Sequence, residues 1–355
     1  FISVIRGHVS SNAGLSDVIP NMGTPLAPYL DLCGEVKRNF DIPIMHSARI
    51  NDVATARYAV KEGLLDLVGM TRAHFADPHI VAKIERGEED QIRPCVGAGY
   101  CIDRIYGEGE ALCLHNPATG REETMPHVVT PTKRRERRIV VVGAGPAGLE
   151  AARVCARRGH SVFLVEASHM HGGQVNLAAK VKRRREILGI TDWLFDQCQR
   201  LKVDMRFDCY ADIDMVRETS PEVVLIATGG IPNLGFLGRG ESLAVSSWDI
   251  LSGSVPLKKT VLFYDDNGQL LTSTFMDYLC PTAYECINMK TEHIETPSPL
   301  TALGSKGAGE GNSESAPVAI ANAIADALQP LNIKITELPL NSYKLWKLIN
   351  DNLKK

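Results

Sequence analysis

The chain has 355 residues, room for two or three domains of ordinary size, with 44% hydrophobic and 23% charged residues and a formal net charge of -3. That balance excludes a polycationic nucleic-acid binder and a disordered acidic chain, and no apolar run approaches the ~20 residues that cross a bilayer. Nine cysteines, an odd number without regular spacing, fit a reducing compartment rather than a disulfide scaffold, so a cytoplasmic protein is expected.

Phe1 opens directly into a strand-like run, which implies that an N-terminal part of a longer protein is absent. Ile2–Arg6, Ile42–His46 and Leu65–Met70 are predicted strands, alternating with predicted helices at Asp52–Glu62 and Pro78–Arg86. Alternation of this kind indicates βαβ units and a parallel sheet. Three strands are too few for a closed eight-stranded barrel, which takes about 250 residues.

From Pro94 to Pro126 the periodicity gives way to Cys, Gly and Pro. Cys95 and Cys101 lie in Arg93-Pro94-Cys95-Val96-Gly97-Ala98-Gly99-Tyr100-Cys101, and Cys113 opens Cys113-Leu114-His115-Asn116-Pro117. Soft anionic thiolates spaced like this suit an iron–sulfur cluster. Three buried cysteines are the plainer alternative. The basic runs Lys133–Arg138 and Lys182–Arg185 have no aromatic platform beside them and read as solvated surface, not as a nucleic-acid patch.

Arg138–Val142 is a buried-strand signal that runs into Gly143-Ala144-Gly145-Pro146-Ala147-Gly148. In that context Gly143 permits a tight turn, Gly145 lets a pyrophosphate approach the backbone, and Gly148 lets the helix pack closely on the strand. The helix Pro146–Arg158 is expected to bury Ala147, Ala151 and Cys155 and to stop at Gly159. The next strand, Ser161–Val165, ends at Glu166, placed to hydrogen-bond a ribose diol. Gly172-Gly173-Gln174 and the strand Val223–Ile226, leading into Ala227-Thr228-Gly229-Gly230, resemble the two-dinucleotide-binding flavoproteins. In those proteins the two segments flank FAD or a bound ADP.

Taken together, residues 1–268 resemble the trimethylamine dehydrogenase / 2,4-dienoyl-CoA reductase / N-methylproline demethylase family. The resemblance implies an α/β chain: the C-terminal part of a TIM barrel over 1–92, an iron–sulfur-type cysteine loop over 93–127 and a Rossmann-like FAD/ADP-binding unit over 138–268. It implies that Arg72, in Met70-Thr71-Arg72, binds an FMN phosphate with the turn Ala48-Arg49. It also places a fourth cluster cysteine where this chain has Ala98, leaving a 4Fe-4S cluster with a non-Cys ligand such as Asp103 or His115, a 3Fe-4S cluster, or none. The substrate class implied is a small N-methylated amine. Catalytic groups on earlier barrel strands are missing, so an oligomer or a complementary chain is a conceivable partner; no nucleic acid or membrane is implied.

Beyond Gly268 the character changes. Phe275-Met276-Asp277-Tyr278, Glu295-Thr296-Pro297-Ser298-Pro299, Gly304-Ser305-Lys306-Gly307-Ala308-Gly309-Glu310-Gly311 and Ala319-Ile320-Ala321-Asn322-Ala323 resemble the C-terminal end of the xanthine dehydrogenase/aldehyde oxidase large subunit. Residues 269–355 would then be an α+β fragment of a molybdopterin-binding domain. Glu310 matches that family's general base, although molybdopterin itself is not expected to be retained. The two resemblances meet at Tyr264-Asp265-Asp266-Asn267-Gly268-Gln269, which implies a join of two gene fragments. An Ala-rich helix is predicted over Ala316–Leu328.

Overall fold

The computed structural model describes residues 1–9, 11–107, 109–232, 234, 244–256, 311–335 and 342–353. The described residues fall into two compact units, one holding those up to 256 and the other those from 311 onward.

In the first unit, β1 (Ile2–Ser3), β2 (Ile44–His46) and β3 (Leu67–Val68) form a parallel sheet in that order, with Ile2 opposite Ile44 and Met45 opposite Leu67. Helices α1 (Asn12–Val18) and α2 (Leu30–Asn39) lie between β1 and β2, and α3 (Val53–Lys61) lies between β2 and β3. The helix starts are written locally: Ser11 accepts from Gly14 N and Asp52 from Thr55 N at 2.8 Å. Ile44, Ile50, Ala59, Leu65 and Cys33 fill the small core.

All three strands are shorter than their apolar runs. Pro43 has no N–H to donate, and its carbonyl accepts from Ile2 N, so β2 starts at Ile44. The Val4 carbonyl is taken by His46 Nδ1 at 2.7 Å, which ends β1 early. Leu64 and Leu65 bond back to the Ala59 carbonyl, which delays β3. Short helices α4 (Thr71–Ala76), α5 (Ile80–Glu85) and α6 (Tyr100–Tyr106) follow.

The second sheet is built from β4 (Arg138–Val142), β5 (Ser161–Val165), β6 (Asp204–Arg206) and β7 (Val223–Ile226), all parallel and ordered β6-β5-β4-β7. Between them run α7 (Pro146–Arg157), α8 (Gln174–Ala178), α9 (Leu188–Arg200) and α10 (Ile213–Glu218). Its core joins Ile139, Val141, Leu149, Ala152, Val162, Leu164, Ile190, Leu194 and Cys198. The expected face of α7 needs correcting. Ala147 is exposed and Ala151 and Cys155 are half-buried, whereas Gly148, Leu149, Ala152 and Arg153 are buried. Leu149, the bulkiest apolar residue of the first turns, is driven into the core, and close contact of Gly148 with Gly143 fixes that rotation. A last short helix of this unit, α11 (Ser247–Ser252), starts in a capping box of Ser246 and Asp249.

The other unit shows α12 (Gly311–Ala327) and α13 (Ser342–Leu353). Helix α12 begins five residues before the expected Ala316. Asn352 Nδ2 donates to the Leu331 carbonyl. Thr260–Tyr264, the join at 264–269, most of the tail motifs and Glu310 lie outside the described residues.

Candidate functional site

Three segments predicted separately from sequence converge at the C-terminal ends of β4, β5 and β7. The first is the turn from β4 into α7. Gly143 has φ 105°, and a side-chain carbon there would stand 2.5 Å from the Ala227 carbonyl oxygen. A carbon on Gly148 would lie 1.9 Å from the Gly143 oxygen. Both glycines are therefore demanded by the fold itself.

Gly145 is different. It has an extended backbone (φ -74°, ψ -179°), and a side-chain carbon there would meet nothing within 4 Å. Gly145 is also the N-cap of α7, and no side chain caps the helix. An uncapped N-terminus presents N–H groups and the positive end of the helix dipole to whatever approaches from that open side. The chain's own packing gives no reason for a glycine here, whereas an anion pressed against the backbone does.

Around this turn stand the other two segments. Gly172 N donates to Ala144 O at 2.9 Å, and Gly173 packs against Gly145, a carbon on it falling 3.3 Å from Gly145 Cα. Gln174 Nε2 reaches the Gly230 carbonyl at 2.9 Å, crossing to the loop that carries Thr228 and Gly229. Glu166, at the end of β5, accepts from Ala144 N at 2.6 Å and from Ser168 N at 2.8 Å. Its carboxylate clamps the glycine turn, and each oxygen keeps a second acceptor direction for a ligand hydroxyl.

The strand ends of the first sheet hold the other predicted site. Arg49 follows β2 with φ 53°, a strained backbone for a residue with a side chain. Its guanidinium is fully buried: Nε donates to Thr24 O at 2.7 Å, and Nη2 pairs with Glu186 at 2.5 Å. Arg72 is spoken for as well, through Asn21 Oδ1 at 3.0 Å and Pro20 O at 2.9 Å. Burial lowers its pKa, and the nearby Cys95 and Cys101 oppose that shift. Three buried polar atoms without a hydrogen-bond partner cluster here: His46 Nε2, Arg49 Nη1 and Asn51 Nδ2. Ala48 is buried beside them. Arg49 Nη1 and Asn51 Nδ2 are donors, whereas His46 Nε2 is an acceptor because Nδ1 donates to the Val4 carbonyl; buried polar atoms without a partner are rare.

The cysteine loop lies against this strand end. Met22 N donates to Gly97 O, a carbon on Gly97 would stand 2.3 Å from Arg49 Nη1, and one on Gly99 would crowd Asn21. Cys95, Cys101 and Cys113 lie within electrostatic reach of one another, and burial raises the pKa of Cys95 and Cys101. Among the described residues, however, no three His, Cys, Asp or Glu side chains form a group that could hold a metal ion. Two left-handed glycines, Gly97 and Gly99, turn the loop between Cys95 and Cys101, and Ala98 packs against the core of the second sheet. His115 sets its Nδ1 against the Pro94 carbonyl and its ring edge-on to Trp193. Burial pushes its pKa down to about 3, so it is neutral.

Neither the Arg49–Glu186 bridge nor the His115–Trp193 contact was foreseen from sequence. A left-handed Arg carries no sequence signal, and a pair separated by 137 positions leaves no periodic trace.

The model of the FAD-dependent oxidoreductase family matches residues 138–184. The chain is 52% identical over 268 residues to a probable N-methylproline demethylase of Rhizobium meliloti, covering 76% of this chain and 39% of that protein. It is 45% identical over 287 residues to an N,N-dimethylglycine/sarcosine dehydrogenase of Chromohalobacter salexigens, covering 79% and 41%. Among solved structures it is similar to the 6-hydroxypseudooxynicotine amine oxidase of Pseudomonas geniculata N1, with 27% identity and a TM-score of 0.64 over 68% of this chain and 38% of that one. The chain therefore spans about two fifths of the length of the relatives it matches. These relatives bear out the resemblance of the first 268 residues to the trimethylamine dehydrogenase / 2,4-dienoyl-CoA reductase / N-methylproline demethylase family, and they do not favour a molybdenum hydroxylase. Among the described residues no helix is long and apolar enough to cross a membrane.

Proposed function

We propose that this chain is part of a flavin-dependent oxidoreductase that oxidises a small N-methylated amine. The observation that carries the reading is the turn at Gly145, open on its outer side, uncapped, and encircled by Gly173, Gln174 and Glu166. A Rossmann-like unit over 138–268 would hold the pyrophosphate of FAD or ADP on the first turn of α7. Glu166 would hold the ribose diol, and Gln174, Thr228 and Gly229 would close the site.

The strand ends of the first sheet suit an FMN, with the turn Ala48-Arg49 and Arg72 nearest its phosphate. The orphaned Arg49 Nη1 and Asn51 Nδ2 are the donors left to receive it. In this arrangement Arg49 and Arg72 spend most of their donors on the protein, so the phosphate would be met by Arg49 Nη1 and backbone rather than by two free guanidinium forks. When bound, the flavin supplies two-electron acceptance from the amine. Cys95, Cys101 and Cys113, which lie within electrostatic reach of one another, would be the ligands of an iron–sulfur cluster, and no step is assigned to one. The partner reading, a second copy or a complementary chain, is supported by exposed Leu67 in the edge strand β3 and exposed Ile5 just after β1.

The test is the ultraviolet–visible spectrum of the purified 355-residue chain with flavin analysis. Bound flavin is expected. A colourless protein that still binds ADP would reduce the chain to a nucleotide-binding remnant.

A further inference from the structure

A cavity of about 410 Å³ lies against the C-terminal half of α7, away from the glycine turn at its start. Lys83, Arg86, Arg93, Arg153 and Arg157 line it, against only two carboxylates, Asp77 and Glu88. Pairing accounts for part of that charge. Lys83 Nζ binds Asp77 at 2.6 Å, and Arg86 binds Glu88 at 2.8 Å. Arg93 and Arg153 share one carboxylate behind the wall: Glu150 takes Arg153 in a two-pronged bond at 2.7 and 2.8 Å, while Arg93 stands 3.7 Å away. Arg157, one turn further along α7, has no acidic partner among the described residues. Two positive charges are left over, that of Arg157 and the excess of Arg93 and Arg153 over Glu150.

The wall is built rather than loose. Trp193 holds the Arg93 guanidinium 4.5 Å and the Arg153 guanidinium 5.6 Å from its ring centre, and its indole N–H donates to Gln91 O at 3.2 Å. Arg93 is anchored by Nη1 to the His115 carbonyl at 2.8 Å, and burial, with Arg153 beside it, brings its pKa down to about 10. Planar guanidinium forks held on an aromatic face are well suited to a doubly charged oxyanion.

We propose that this cavity binds a phosphate dianion, free or as a small phosphate monoester, at a site separate from the dinucleotide turn. The two sites lie toward opposite ends of a 12-residue helix, about 18 Å at 1.5 Å per residue.

The experiment titrates the purified full chain with inorganic phosphate and with glycerol 3-phosphate at a pH where both are dianions, reading Trp fluorescence and heat. Saturable binding is expected, and the tighter of the two probes identifies the source. Arg157→Glu should weaken it by roughly tenfold or more. Because Arg157 is exposed and unpartnered, its fold should be kept, and Arg157→Gln serves as the milder variant. Gly145→Asp, which puts a carboxylate into the open space of the dinucleotide turn, should leave phosphate binding intact. Absence of saturable binding, indifference to both Arg157 variants, or loss in Gly145→Asp alone would overturn the proposal.

Discussion

Arg49 and Glu186 form an ion pair, Nη2 to Oε1 at 2.5 Å, that ties the turn after β2 to the chain just ahead of α9. The Arg49 side chain is wholly buried, whereas that of Glu186 is 41% exposed. Removing the acid strands a buried cation whose Nη1 already lacks a partner. Glu186→Gln should cost about 1–2 kcal/mol, less than a fully buried pair because water screens the exposed partner. Arg49→Met combined with Glu186→Gln should cost less than the sum of the single changes. Urea denaturation of the four proteins measures this, and strict additivity would show that the pair is not coupled.

Gly145 and Gly148 separate ligand binding from folding. Gly148→Ala forces a carbon to within 1.9 Å of the Gly143 oxygen; the turn must open, at a cost of roughly 2 kcal/mol or more. Gly145→Ala enters open space and should cost about 1 kcal/mol or less, the ordinary difference between these residues at an N-cap. Gly145→Val should nevertheless abolish ADP and flavin binding while the protein stays folded. Equal destabilisation by the Ala variants in a thermal melt would remove the distinction.

Legibility from sequence followed the range of the interaction. Three strands of the second sheet were readable to the residue, β4, β5 and β7 having the predicted bounds, because strand, turn and cap are written in neighbours; the three-residue edge strand β6 was not predicted. The first sheet was readable in order but not in length, because Pro43 and the His46–Val4 bond, which trim its strands, act between strands. The partners of Arg49 and Arg72 were invisible, being set by residues far away in the chain. The sequence assigned no role to Gly97 and Gly99, which are where Arg49 and Asn21 press on the cysteine loop.

Cys198 provides a pH test. Its thiol is fully buried, donates to Leu149 O at 3.4 Å, and has its pKa pushed up to about 12 by burial. In the unfolded chain it would ionise near its ordinary value of 9. Above that pH the unfolded state releases a proton that the folded state retains, so stability falls as pH rises from 9 toward 12, by up to ~1.4 kcal/mol per unit. Cys198→Ala should flatten this part of the alkaline loss relative to the parent. The same burial should make Cys198 among the last thiols to react with iodoacetamide. Rapid labelling of native Cys198 at pH 8 would contradict the argument.

Glu166 joins stability to binding. Its two oxygens accept from the N–H groups of Ala144 and Ser168, holding the glycine turn against the end of β5. A carboxamide keeps one acceptor and turns an NH₂ toward the other N–H, leaving a donor facing a donor. Glu166→Gln should therefore cost about 1–3 kcal/mol. If the same carboxylate also holds the ribose diol, ADP should bind the variant at least tenfold more weakly, whereas pyrophosphate, which has no ribose, should lose only what the loosened turn costs. Urea curves and parallel titrations with ADP and pyrophosphate decide between the roles. Equal loss for both ligands would make Glu166 a brace of the turn and nothing more.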